Sequence, residues 1–113
     1  AAFYDTLYSE ESETQPKRDE FVDSLVRGVV SNIERIDKMI TAHAEHWRIE
    51  RMPAVDRNVL RLAICEMMVL GTPPPVAIDE ALELVRRFSG EGSVQFANGV
   101  LDAARREIDA APH

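Results

Sequence analysis

The chain has 113 residues, with 13 Lys and Arg against 20 Asp and Glu and a net charge of −7. A length of this order supports one hydrophobic core, and 45% hydrophobic with 29% charged residues excludes a disordered chain. The acid surplus excludes whole-surface binding of nucleic acid, which depends on Lys and Arg displacing counterions from phosphates. Residues 1–8 (AAFYDTLY) read as the tail of a helix, with Phe3, Leu7 and Tyr8 at i, i+4 and i+5. Ser9 to Glu20 holds five acids, two bases and Pro16 but no apolar residue, so it reads as a solvated loop.

From about Pro16 the spacing of Phe21, Leu25, Val29, Ile33, Ile36, Ile40 and Trp47 predicts one amphipathic helix of about 28 residues. Gly28 inside it costs about 1 kcal/mol relative to Ala, which points to a close crossing with a neighbouring helix. The pattern lapses around Arg48 to Met52. Pro53 then opens a second helix that turns Val55, Val59, Leu60, Ala63, Ile64 and Met67 inward, and Gly71, Thr72 and three prolines stop it. A third helix from Pro75 or Val76 carries Ile78, Ala81, Leu82, Val85 and Phe88 inward, with Glu83 and Arg87 as an i,i+4 pair and Asp79, Glu80 and Glu83 in its first turns. Ser93 caps a last helix whose inward positions are Phe96 or Ala97, Val100, Leu101, Ala104 and Ile108. No segment alternates as a strand does. The predicted fold is all-α, a single helical domain over 1–113 with four strong helices and the remnant of a fifth.

The lone Cys65 allows no intramolecular disulfide, and its apolar neighbours make it an inert core thiol suited to a reducing compartment. No apolar run reaches the length of a membrane span, and Ala1 to Glu11 lacks the pattern of a signal peptide, so the cytoplasm is the expected location. His43 and His46 lie three apart near Glu45, but nothing completes a metal site around them. No phosphate-binding glycine loop and no nucleophile elbow occurs. No enzyme, no metal and no cofactor is expected. Arg48, Arg51, Arg57 and Arg61 lie within fourteen residues that hold only Glu50 and Asp56 as acids, a local basic surplus that reads equally as a solvated face or a binding face.

Three ordered runs are more specific: WRIERMPAVDRNVLRLAICE at 47–66, PVAIDEALELVRRF at 75–88 and SVQFANGVLD at 93–102. Together with LVRGVVSNIERIDKMI at 25–40 they resemble the NusB family over residues 16–108, and Leu7 with Tyr8 resembles the close of that family's first helix. The resemblance implies a compact helical bundle of the NusB type with its first helix truncated. It also implies a transcription antitermination factor that pairs with the ribosomal protein NusE and binds boxA-type single-stranded RNA, within an antitermination complex with RNA polymerase. Carried over residue by residue, the RNA surface falls on Tyr8, Gln95, Phe96 and Asn98. Aromatic rings there can stack on bases and amides can meet base edges. The NusE face falls on Asp56 and Arg57 with Arg48 and Arg51 as neighbours, exposed charges that would steer a basic partner.

Several positions depart from the family pattern. The arginine-rich segment of the family is not among residues 1–113, Gln95 stands where lysine is frequent, Val94 where polar residues are common, and Gly92 where an acid is common. The connection from Tyr8 to Pro16 is short. These departures weaken the expectation that the chain binds RNA alone. Other readings are an RNA-docking domain of an RNA cytosine methyltransferase, or a diverged interaction module without RNA binding, with a homodimer as a further option. The ending DAAPH resembles a small polar terminus and favours the antitermination reading.

Overall fold

The computed structural model describes residues 15–44 and 49–111. Five α-helices follow in order: α1 (Gln15–Ser31), α2 (Ile33–His43), α3 (Ala54–Met68), α4 (Pro74–Phe88) and α5 (Glu91–Ala110), with a 3₁₀ turn at Ile49–Arg51 before α3. No strand occurs among the described residues, and the all-α expectation holds. The helix tail expected at 1–8, together with His46, Trp47 and Arg48, lies outside the described residues.

The long helix expected from Pro16 is two helices. At Asn32 the backbone N–H is shared between the carbonyls of Gly28 (3.1 Å) and Val29 (3.2 Å), and the side-chain amide donates to the Gly28 carbonyl at 2.9 Å. A short amide side chain that competes for a carbonyl one turn back bends a helix. The α2 ladder restarts at once, with the Ile36 N–H on the Asn32 carbonyl at 2.9 Å. Apolar periodicity runs through such a bend undisturbed, which is why the spacing alone reads as one helix.

The α3 helix is the hub and packs against each of the other four. Its Leu60 and Ile64 are fully buried with Ile36 and Ile40 of α2, Val85 of α4 and Leu101 of α5. Gly28 supplies the close crossing that its position predicted: a Cβ there would stand 2.7 Å from the Cys65 Sγ of α3. Only a residue without a side chain lets α1 settle this near α3. Three expected core positions are instead exposed: Phe21 (47%), Val55 (39%) and Phe88 (54%).

The punctuation between helices follows elementary backbone chemistry. Gly71 takes φ +71, and the Thr72 N–H closes back onto the Glu66 carbonyl at 2.9 Å. The Pro73 carbonyl then accepts the Val76 and Ala77 N–H groups, so α4 starts at Pro74, slightly ahead of the expected position. That start moves Asp79, Glu80 and Glu83 beyond the first turn and away from the positive end of the helix. Glu83 pairs with Arg86 at 3.1 Å rather than with Arg87. Gly90, at φ +103, precedes α5. The helix begins at Glu91, so Ser93 is already inside its first turn and is not the cap.

Candidate protein and nucleic-acid interface

The first half of α5 presents two of the four expected RNA contacts to solvent. Gln95 and Asn98 are exposed three residues apart on one helix face, whereas Ala97 is fully buried and takes the inward position that Phe96 could have filled. Phe96 is half-buried and packs against the core edge. Tyr8 lies outside the described residues.

Phe96 also borders a cavity of about 280 Å³ that separates the start of α5 from the start of α3. Gly92, Ser93 and Phe96 line it from α5, Met52, Pro53 and Asp56 from α3 and its approach, and Ser89 from the turn between α4 and α5. Asp56 is 3% exposed and is the one buried charged residue among those described. Its Oδ1 accepts the Ser89 hydroxyl at 2.5 Å. The carboxylate lies in the first turn of α3, where the helix's unpaired N–H groups favour negative charge. The expectation of an exposed, steering Asp56 is therefore corrected: the group is inside, held by a hydroxyl and a helix end. No motif linked it to Ser89, 33 residues away, and sequence reading missed Ser89 for that reason.

The basic cluster separates into distinct environments. Arg51 is exposed. Arg57 is half-buried, with Nη1 at 3.5 Å from the Ile49 carbonyl and a buried Nε that has no hydrogen-bond partner. Arg61 is half-buried and forks onto Asp37 of α2 through Nε–Oδ1 at 2.8 Å and Nη2–Oδ2 at 2.9 Å. That bidentate bond raises its pKa further above the ordinary range. Arg48 lies outside the described residues.

The remaining candidates have structural roles. Cys65 is fully buried, and burial first, then the charge of Glu66, pushes its thiol pKa up, the opposite of an activated nucleophile. His43 bonds Glu107 of α5 at 3.0 Å, and no group of metal-binding residues occurs among those described. No described helix is long and apolar enough to cross a membrane.

Comparison with known proteins decides the family. The NusB family model matches residues 2–106. The chain belongs to the NusB family. It is 66% identical over 107 residues to the transcription antitermination protein NusB of Solibacter usitatus, covering 95% of this chain and 71% of that one. T. maritima NusB superposes with a TM-score of 0.76 at 40% identity, covering 80% of this chain and 65% of its own. A crystal structure of the antitermination factors NusB and NusE in complex with double-stranded RNA matches with a TM-score of 0.75 at 30% identity, over 88% of this chain and 72% of that chain. NusB proteins are named as antitermination factors and are not enzymes, in agreement with the sequence reading.

Proposed function

We propose that this chain is a non-catalytic transcription antitermination factor that pairs with NusE and holds boxA-type RNA, acting in the cytoplasm within an antitermination complex with RNA polymerase. The observation that carries the reading is the α5 face, where exposed Gln95 and Asn98 flank the half-buried Phe96. An aromatic ring beside two amides suits single-stranded RNA, whose splayed bases stack on the ring while their edges meet the amides. The complex of NusB and NusE with RNA among the structural relatives supports both partners. The NusE face is assigned to the approach to α3, with Arg48, Arg51 and Arg57 around Asp56. Tyr8 is assigned to the RNA face with Gln95, Phe96 and Asn98. The domain is taken as one unit over 1–113.

The test is a titration of a boxA oligoribonucleotide with and without NusE. Wild type is expected to bind RNA weakly alone and much more tightly with NusE, with affinity falling as salt rises. Phe96→Ala should cost about 5- to 150-fold, in line with the ~1–3 kcal/mol of a stacked base. Gln95→Ala with Asn98→Ala, both on solvent-exposed positions, should weaken RNA binding and leave the melting temperature in place. A chain that neither binds NusE nor gains RNA affinity from it overturns the reading.

A further inference from the structure

We infer that Ser89, in the turn between α4 and α5, is the acceptor for an arginine-directed serine kinase, and that its phosphate releases this turn from α3. The inference stands apart from the RNA and NusE readings. Ser89 follows Arg86, Arg87 and Phe88, and no other serine or threonine of the chain has two arginines within the three residues before it. All four residues are exposed. Arg86 pairs with the exposed Glu83 at 3.1 Å and Glu91 at 2.9 Å, contacts that hold a guanidinium only weakly in water. Arg87 enters no ion pair among the described residues. Both guanidiniums are thus available to fork onto carboxylates in a kinase's substrate cleft, the charge pattern by which such enzymes choose their substrates.

The backbone lets the serine reach an active site. The Ser89 and Gly90 N–H groups share the Val85 carbonyl, at 2.7 and 3.1 Å, and Gly90 takes φ +103. Parting those two bonds frees Ser89 from the last turn of α4, and helix ends open at low cost. In the transfer the Ser89 oxygen attacks the terminal phosphorus of a nucleoside triphosphate. The bond from that phosphorus to the bridging oxygen breaks, the nucleoside diphosphate leaves, and the hydroxyl proton passes to the kinase's base.

In the unmodified chain that hydroxyl donates to Oδ1 of Asp56, the one buried charged residue among those described, and so ties the turn to the first turn of α3. Phosphorylation removes the donated hydrogen and adds about −1.5 to −2 of charge in its place. The tie becomes a like-charge contact beside a carboxylate already withdrawn from water, and a buried carboxylate without its donor is costly. The phosphate therefore swings to solvent, where Arg86 and Arg87 receive it, and the turn parts from α3.

The test is to incubate the folded chain with ATP and the catalytic domain of an arginine-directed serine kinase, map the phosphate by mass spectrometry and melt the purified product. Ser89 is expected to carry the phosphate, and Arg86→Gln with Arg87→Gln should slow its incorporation at least tenfold. The phosphorylated chain should melt about 4 °C or more below the unmodified one. Ser89→Ala separates loss of the hydrogen bond from gain of charge, and should lose less than the phosphorylated chain does. In Asp56→Asn the loss caused by phosphate should shrink, because asparagine carries no charge to repel it. Absence of phosphate at Ser89, incorporation indifferent to the two arginines, or a phosphorylated chain as stable as the unmodified one overturns the inference. So does a phosphate-induced loss of equal size in wild type and Asp56→Asn.

Discussion

The two ends of the bundle use the same apolar vocabulary with opposite outcomes. Along α3, α4 and α5, Leu60, Ile64, Val85, Val100 and Leu101 are sealed from solvent. Along α1, Leu25 and Val29 are half-buried toward the core, but Val22, Val26 and Val30 stand 41%, 52% and 67% exposed at successive i+4 positions. Hydrophobic periodicity reports which residues could share a face; it does not report whether another element is there to cover it. Burial requires the partner as well as the pattern.

The contrast is sharpened most by truncating one residue at each end. Leu101→Ala should cost about 2–5 kcal/mol in a denaturant titration, since it removes a fully enclosed side chain and leaves a void. Val26→Ala should stay within about 0.5 kcal/mol. Equal losses would show that the α1 stripe is covered in solution.

The contact where the two ends meet gives a smaller effect. Gly28→Ala should destabilise by about 1–3 kcal/mol through overpacking against Cys65, more than the gain of about 1 kcal/mol in helix propensity returns. Adding Cys65→Ala removes the sulfur that the new methyl meets, so the double variant should be more stable than the two single losses predict. Strict additivity would mean that α1 moves off α3 instead of clashing.

The smallest effect is one of pH. Burial first, and the Glu80 charge second, raise the Glu66 carboxyl above its ordinary value of 4.5. The folded chain therefore holds this proton more tightly than the unfolded one. The stabilisation from protonation is complete below 4.5 and is lost as pH rises through the folded-state value. Glu66→Gln should raise the melting temperature at pH 7, and the difference from wild type should close as pH falls below about 4.5. A difference independent of pH would assign the effect to packing.

Helix order and the breaks between the later helices were legible from glycine, proline and apolar spacing because those signals are local. Gly71 and the prolines at 73–75 act through their own backbone restrictions, and Gly28 announced a close crossing because nothing else explains a glycine inside an amphipathic run. The bend at Asn32 was not legible, since it leaves the 3.6-residue period intact. The exposed α5 face was readable only through its family motif, which placed Gln95 and Asn98 correctly on the surface. Asp56 shows where such reading stops. Its partner Ser89 is remote in sequence, and an acid in the first turn of a helix looks the same whether it points to water or into a cavity.

The Gly28–Cys65 crossing also turns the thiol into a clock. With the sulfur fully enclosed and the α1 backbone laid over it, an alkylating reagent reaches Cys65 only when α1 parts from α3. When reclosing outpaces the reagent, the labelling rate reports the population of that opened form. A single native cysteine thus measures how firmly the first described helix is held, without any introduced probe and while the rest of the bundle stays folded.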